Sequence, residues 1–276
     1  MYLSSLLGPR RRAGPLSGSC PQRSVPVCVP VCARLLPGLW LLPLLLVGPT
    51  HAQALLTPLG VNAGETLAPP WRVAGVGKDS IPLTRFDLVA LDGATVLRIR
   101  TERSYGNLIH ELPALSLTPN AVLRWRWRLD QGLPLADLTR KAGDDAPLKV
   151  CALFDLPASQ LGLGERSLLL LARSLSRESL PGATLCYVWD TKLATGTQLP
   201  NAYSQRVRYL VLNGANAPLK QWVSHERRLG ADFLQAFGHE ARSVPPLVAV
   251  LVGADADNAG GSSLAYVSDL VLGNTP

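Results

Sequence analysis

The stretch Arg124-Trp125-Arg126-Trp127-Arg128 alternates strictly between basic and aromatic side chains. Successive side chains of a β-strand point to opposite faces, so the pattern predicts a strand with both tryptophans on one face and three arginines on the other. Two interpretations of the tryptophan face stay open here: a tryptophan-filled core, or an aromatic shelf on which a flat ligand stacks. Either way, the stretch indicates a protein built from β-sheet.

Short apolar or alternating runs, separated by turn residues, continue this pattern along the chain. The predicted strands are Phe86–Leu91, Thr95–Thr101, Ala121–Leu129, Leu148–Asp155, Thr184–Trp189, Arg206–Leu212, Gln221–Arg228, Pro246–Gly253 and Leu264–Leu272. Their number and spacing favour an all-β fold, namely a two-layer antiparallel β-sandwich that is jelly-roll-like. Glu165–Leu175 and Asp232–Phe237 have helical composition and are predicted to be short peripheral helices.

Three structural predictions are specific enough to check directly. Asp92-Gly93, between two apolar or alternating runs, predicts a tight hairpin turn. Leu247–Val252 is apolar without alternation, which predicts a strand buried on both faces near the middle of a sheet. The chain is rich in leucine and only 6% aromatic, so we expect an aliphatic core.

The first 54 residues have the features of a secretory leader. They hold five arginines and no acidic residue, followed by the apolar run Leu35–Val47 and by Ala52-Gln53-Ala54, whose small residues suit signal peptidase. The apolar run is shorter than the roughly 18 residues that a membrane span needs. We therefore expect a periplasmic or secreted protein without a membrane span after cleavage. Its predicted parts are a leader (1–54), an N-terminal linker (55–70) and a β-sandwich domain (71–276).

Removal of this leader changes the charge balance of the protein. It takes five of the 27 basic residues and none of the 20 acidic ones, so the mature chain carries 22 − 20 = +2. Nucleic-acid binding requires a concentrated basic patch, so nucleic acid is not an expected partner.

Cys151 and Cys186 remain in the mature chain, and in an oxidising compartment they either pair or stay as buried thiols. Both alternatives remain open at this point.

Two groups of acidic residues are candidate sites. Asp255, Asp257 and Asn258 place three oxygen-bearing side chains within four residues, and calcium favours such ligands. The alternative is a turn in which these side chains cap their own backbone.

Asp144 and Asp145 stand on a loop before a predicted strand. Two neighbouring carboxylates repel each other, which can raise the pKa of one of them and suit it to general acid catalysis. The alternative for this pair is a solvated loop.

A third set of candidates would contact an organic ligand. Trp125, Trp127 and Trp189 could stack against sugar rings, because indole faces pack on apolar C–H surfaces while the N–H reaches hydroxyls. We also expect one of the two neighbouring aspartates to meet Lys149, or an arginine, at the open face of the sheet. The alternative is that the tryptophans pack in the core, which we favour for at least two of the chain's strand tryptophans.

The order of several short motifs is informative as a set. The motifs are Trp125-Arg126-Trp127, Asp144-Asp145, Tyr187-Val188-Trp189, Trp222, Asp232-Phe233, Ala236-Phe237-Gly238 and Asp255-Ala256-Asp257-Asn258. Together they resemble the bacterial family catalogued as domain of unknown function 3047, from about Trp71 to about Leu272. The resemblance implies a secreted or periplasmic β-rich domain and no particular chemistry. Lys149 and Ala259 depart from it, since the family usually has arginine and threonine there, and lysine lacks the bidentate fork of a guanidinium.

These observations lead to one functional expectation and two alternatives. We expect an exported, non-catalytic ligand-binding β-sandwich, with a glycan or cell-envelope polysaccharide as the leading ligand class. The first alternative is an enzyme that acts on polysaccharide or peptidoglycan through Asp144 or Asp145. The second is an envelope scaffold whose edge strands pair with a partner protein. Calcium is the one cofactor that the sequence suggests.

Overall fold

The computed structural model describes residues 55–75, 80–175 and 180–274, which form two β-sheets and short helices. The predicted leader, residues 1–54, lies outside the described residues. No helix within the described part of the chain has the length and apolar character needed to cross a membrane.

The chain order of elements is dominated by strands. The strands are β1 (Arg72–Ala74), β2 (Arg85–Leu91), β3 (Ala94–Glu102), β4 (Tyr105–Leu115), β5 (Ala121–Gln131), β6 (Leu148–Phe154), β7 (Ala183–Trp189), β8 (Gln198–Pro200), β9 (Val207–Asn213), β10 (Val223–Arg228), β11 (Leu247–Asp255) and β12 (Ser262–Asn274). The helices are α1 (Leu163–Leu175) and α2 (Leu229–Phe237), with short 3-10 turns at Lys141–Gly143 and Ala158–Gln160. The predicted all-β class with two short helices is confirmed.

The strands form a seven-stranded sheet and a five-stranded sheet. Their orders are β1-β4-β11-β6-β7-β9-β8 and β10-β5-β12-β3-β2. Neighbouring strands run antiparallel except β7 and β9, which are parallel. The chain passes repeatedly between the sheets, from β4 to β5 to β6 and from β10 to β11 to β12, as in jelly-roll sandwiches.

Strand β5 contains the alternating stretch, and its two faces differ as predicted. Trp125 and Trp127 point inward and are 1% and 0% exposed. On the outer face, Arg124 pairs with a carboxylate of β10 and Arg126 with one of β12, each at 2.6 Å, and Arg128 pairs at 2.6 Å with a carboxylate of its own strand. The apolar side of the alternation therefore lies between the sheets.

Most residues of the core are aliphatic, as expected, and the largest of its buried side chains are aromatic rings. The largest fully buried side chains are Trp125, Trp127, Trp189, Tyr187, Phe154, Phe233 and Phe237. A low aromatic fraction gives the number of such residues and not their position, and this fold places most of its large rings in one cluster. Burial of each large side chain contributes about 2–3 kcal/mol.

Two local predictions are confirmed in detail. Asp92 and Gly93 both have positive φ, and Leu91 pairs with Ala94, so β2 and β3 form the predicted hairpin. Strand β11 lies between β4 and β6, and eight of its nine residues are buried. The apolar run without alternation therefore marks a strand in the interior of its sheet.

Three strands and one packed segment were not foreseen. The sequence analysis missed β1, β8 and the long β4, whose residues include Asn107, His110 and Pro113 and show no clean alternation. Part of the predicted linker packs on the sandwich, through Leu56, Leu59 and Leu67. Leu56 is buried in the main core, and the Trp71 indole N–H donates to the Thr57 carbonyl at 2.8 Å.

Candidate functional site

A groove of about 1380 Å³ runs over the outer face of the seven-stranded sheet. On β6 the alternation turns Val150, Ala152 and Phe154 toward the main core. It turns Lys149, Cys151 and Leu153 toward the groove. The floor of the groove is therefore formed by the side chains of this sheet that do not face the other sheet.

The floor of the groove contains a disulfide bond. Cys151 on β6 and Cys186 on β7 stand directly opposite each other and are bonded. The structure thus resolves the alternative that the sequence left open. The bond ties together two central strands beneath the groove.

One end of the groove carries a hydrogen-bonded group of Asp144, Asn201 and Tyr209. The Tyr209 hydroxyl donates to Asp144 Oδ1 at 3.2 Å, and the Asn201 amide donates to Asp144 Oδ2 and to the Tyr209 oxygen. Burial, supported by the nearby charge of Asp255, raises the pKa of Asp144 even though the Asn201 hydrogen bond opposes this. A carboxylate, an amide and a phenol therefore meet at the groove wall.

The neighbouring Asp145 has a different environment. It is fully buried, and its carboxylate accepts hydrogen bonds from the backbone N–H of Asn258 at 3.1 Å and of Ala259 at 2.6 Å. These bonds fix the loop between β11 and β12 and leave Asp145 away from the groove lining. The alternative of a solvated loop therefore describes neither residue, because Asp144 is also only 5% exposed.

Lys149 forms an ion pair with Asp255 rather than with Asp144 or Asp145. Its Nζ lies 3.0 Å from Asp255 Oδ2, both side chains are buried, and the ammonium also lies 5.2 Å from the centre of the Tyr105 ring. Burial is the largest single effect and lowers the pKa of Lys149. The charge of Asp255, the interactions with Tyr105 and Tyr209 and the hydrogen bond to Asp255 together outweigh it and raise that pKa above the ordinary value. Lys149 is therefore a charged ammonium in the wall of the groove.

Glycine at position 253 makes room for this arrangement. A Cβ atom there would lie 2.2 Å from Asn107 Oδ1 and 3.0 Å from Lys149 Cε. Both side chains therefore cross over β11 only because this residue lacks a side chain. Asn107 completes the contact by donating from its amide to the Tyr105 hydroxyl at 3.0 Å.

Three carboxylates converge beside the ion pair. Asp145, Asp255 and Asp257 each place an oxygen within 4.8 Å of the others. Asp257 Oδ1 is buried and has no hydrogen-bond partner in the described ranges. Burial, together with the charges of Asp255 and Asp145, raises the pKa of Asp257. Carboxylate oxygens are the donors that a hard cation prefers, so calcium binding stays a prediction for this cluster.

Asn258 does not join these carboxylates through its side-chain oxygen. That oxygen accepts a hydrogen bond from the Tyr203 hydroxyl at 2.9 Å, and the side-chain amide donates to Asp144 O and Asp145 Oδ1 at 3.2 Å. Asp145 lies with Asp255 and Asp257 of the predicted set, while the Asn258 side chain contacts Tyr203, Asp144 and Asp145. Asp145 comes from a distant loop, which spacing within one segment does not show.

The predicted tryptophan shelf is not present at Trp125, Trp127 or Trp189. All three are at most 1% exposed and pack between the sheets, so the core alternative describes them. The Trp127 N–H donates to Asn213 Oδ1 at 2.8 Å inside the core. Trp222 lies on the outer face of the five-stranded sheet, beside Arg126, and is remote in the fold from the groove lining.

Several residues of the groove were missed by the sequence analysis. They are Tyr105, Asn107, Asn201, Tyr203 and Tyr209. The only local signal is the polar turn Asn201-Ala202-Tyr203-Ser204, which places an aromatic residue in a segment otherwise typical of a turn. Without knowledge of strand order, nothing connects that turn to Asp144.

The family model for "Protein of unknown function (DUF3047)" matches residues 69–271, so the chain belongs to that family. This confirms the resemblance carried by the short motifs. A comparison with curated proteins finds no match. Among solved structures, the chain is similar to the family 11 carbohydrate-binding module of the cellulosomal cellulase Lic26A-Cel5E of Clostridium thermocellum. The identity is 10% and the TM-score 0.32, over 81% of this chain and 94% of that one. Values this low carry no argument about what the present chain binds.

Proposed function

We propose that this protein is an exported, non-catalytic binding module whose groove takes a glycan or a cell-envelope polysaccharide. The observation that carries the proposal is the groove itself, with Asp144, Asn201 and Tyr209 joined by hydrogen bonds at one end. Ligand sites of this kind combine an apolar lining with a few fixed polar groups that orient the ligand. Carboxylate and amide groups hydrogen-bond to sugar hydroxyls as acceptors and donors.

Two features support export. The first 54 residues have the composition of a secretory leader, and Cys151 and Cys186 form a disulfide, which persists in oxidising compartments. Periplasmic or secreted location is therefore part of the proposal. Fractionation of cells that express the protein, followed by N-terminal sequencing of the processed form, tests it.

One observation favours an enzyme as a second candidate. Asp144 lines the groove, and its pKa is raised by burial, as in a general acid. Catalysis would also require a second acid or base at a suitable distance, and Asp255 and Asp257 are carboxylates that line the same groove with raised pKa values. We place this reading second because the hydrogen bonds that Asp144 accepts from Asn201 and Tyr209 favour its ionised form and oppose the rise of its pKa.

The experiment that separates the two functions is a glycan array followed by calorimetry and a turnover assay on the purified protein. The proposal predicts saturable binding of at least one polysaccharide, no release of reducing ends, and loss of binding in Asp144→Asn. Asp130→Asn, in the ion pair with Arg128, is the matched control and should bind like the wild type. Reducing-end release that disappears in Asp144→Asn would establish the enzyme instead, and the absence of any glycan ligand would overturn the proposal.

A further inference from the structure

Tyr203 is the one large aromatic side chain of the groove that stands open to solvent among the described residues. It lies in the loop between β8 and β9, lines the groove, and is 59% exposed. Its neighbour on that loop, Asn201, belongs to the polar group that contacts Asp144. An exposed ring next to fixed hydrogen-bonding groups is the combination that binds sugars.

The Tyr203 ring is held in place by two other loops. Its hydroxyl lies 3.0 Å from the carbonyl oxygen of Lys141 and 2.9 Å from Asn258 Oδ1, and both can accept its proton. The Lys141 ammonium lies 5.4 Å from the centre of the ring. A ring already fixed in the free protein loses little conformational entropy when a ligand binds, which favours affinity.

The loop that carries Tyr203 is itself fixed. Asn201 Oδ1 accepts hydrogen bonds from the backbone N–H of Tyr203 at 2.9 Å and of Ser204 at 3.0 Å. The side-chain amide of the same residue donates to Asp144 and Tyr209. One asparagine therefore sets the position of the aromatic ring relative to the carboxylate.

We propose that Tyr203 and Asp144 form one sugar subsite positioned by Asn201, with the sugar ring stacked on the phenol and its hydroxyls donating to the acceptor positions of the carboxylate that Asn201 and Tyr209 do not use. This inference rests on the proposed function and names the ligand class within it. Three carboxylates, of Asp144, Asp255 and Asp257, line this end of the groove, against the two ammonium groups of Lys149 and Lys141, so the local charge is negative. The subsite therefore takes a neutral or amine-bearing sugar and disfavours an acidic one.

The test uses the glycan that binds the wild-type protein best on the array, measured by calorimetry. Tyr203→Ala should weaken its binding about tenfold or more, because both the stacking area and the fixed ring are lost. Tyr203→Phe keeps the ring and should weaken it by less. Trp222→Ala, on the outer face of the other sheet, is the matched control and should leave binding unchanged, and equal melting temperatures establish that all variants are folded.

The outcomes of this test are distinct. If the wild type binds glycans and folded Tyr203→Ala binds equally well, the subsite is wrong while the proposed function stands. If uronic-acid oligosaccharides bind more tightly than neutral ones of the same length, the charge argument is wrong, and the subsite fails with it. If the wild type binds no glycan, both the subsite and the proposed function fail.

Discussion

At the scale of single residues, Lys149 balances part of the negative charge at the polar end of the groove. It is the cation among several buried or half-buried carboxylates, and its partner Asp255 is almost completely buried. Removing one member of a buried ion pair leaves an uncompensated charge, which costs far more than the pair contributes. The contact of Lys149 with Asp255 is a single Nζ–Oδ2 hydrogen bond.

We predict that Lys149→Met lowers the free energy of unfolding by about 3–5 kcal/mol, because Asp255 would be left buried without a cation. Lys149→Arg keeps the charge and should cost clearly less. Urea denaturation at neutral pH measures both values. A Lys149→Met protein as stable as the wild type would show that Asp255 does not carry a charge in the fold.

His225 gives the fold a dependence on pH. Its ring packs against Trp125 and Trp127, and its Nε2 lies 2.8 Å from Asn213 Oδ1. Burial, and then the charge of Arg227, lowers the pKa of His225 to about 4 from the ordinary 6.5. The folded protein therefore resists protonation of a group that is readily protonated in the unfolded chain.

The sign of the effect follows from proton counts. Between pH 6.5 and 4 the unfolded chain binds a proton at this position and the folded protein does not, so stability falls as the pH falls through that window. We predict a loss of about 2 kcal/mol from this group, allowing for solvent screening at a partly exposed position. Raised carboxyl pKa values, such as that of Asp257, act in the opposite direction.

Comparison with His225→Gln isolates this contribution, because glutamine keeps an N–H donor and does not titrate. The stability difference between the wild type and the variant, from denaturation at pH 7 and at pH 4, should shift by about 2 kcal/mol in favour of the variant at the lower pH. A difference that stays constant with pH would mean that His225 titrates normally in the folded protein.

At the scale of secondary-structure elements, β6 and β7 are linked by a covalent bond that closes a loop of 35 residues in sequence separation. Restricting the unfolded chain in this way stabilises the fold by about 3–4 kcal/mol in the loop-entropy account. The double variant Cys151→Ala with Cys186→Ala should lose about that amount in chemical denaturation, and reductant should then have no further effect on it. Equal stability of the oxidised and reduced wild type would contradict this prediction.

The segment that joins β11 to β12 tests the calcium prediction. Asp257 lies in it and brings an oxygen without a hydrogen-bond partner in the described ranges to Asp145 and Asp255. Millimolar calcium should raise the melting temperature by a few degrees, since a ligand that binds only the folded state stabilises it by mass action. Asp257→Asn should lose the rise, while Asp269→Asn, on the outer face of the other sheet, should keep it. A melting temperature that does not change with calcium would show that this cluster is not a calcium site.

At the scale of the whole molecule, the sequence predicted the two layers of strands but not which residues come together in the groove. Alternation in β5 and the continuous apolar run in β11 depend on local neighbours, so their sheet environment was predictable. The strand order was not, because it depends on pairing between segments far apart in the chain. Asp144 and Asn201 contact each other across 57 residues, and Tyr203 and Asn258 across 55. No local sequence pattern indicates contacts between residues so far apart in the chain.

The tryptophans show a second limit of local sequence patterns. The alternation correctly separated the Trp125 face from the Arg124 face, but it does not say which face a ligand meets. The sandwich has four sheet faces, and the groove uses the outer face of the seven-stranded sheet, where the floor is apolar and the end is polar. The predicted aromatic contacts, Trp125, Trp127 and Trp189, lie between the sheets, whereas the exposed aromatic residue of the groove is Tyr203.

The central claim is that the ligand binds in the groove of the seven-stranded sheet. Hydrogen–deuterium exchange of the protein with and without its best array glycan tests this most directly. The account predicts slower exchange in residues 141–147, 201–209 and 253–259, which form the polar end of the groove, and unchanged exchange around Trp222. Protection around Trp222 with no change in those three segments would contradict it.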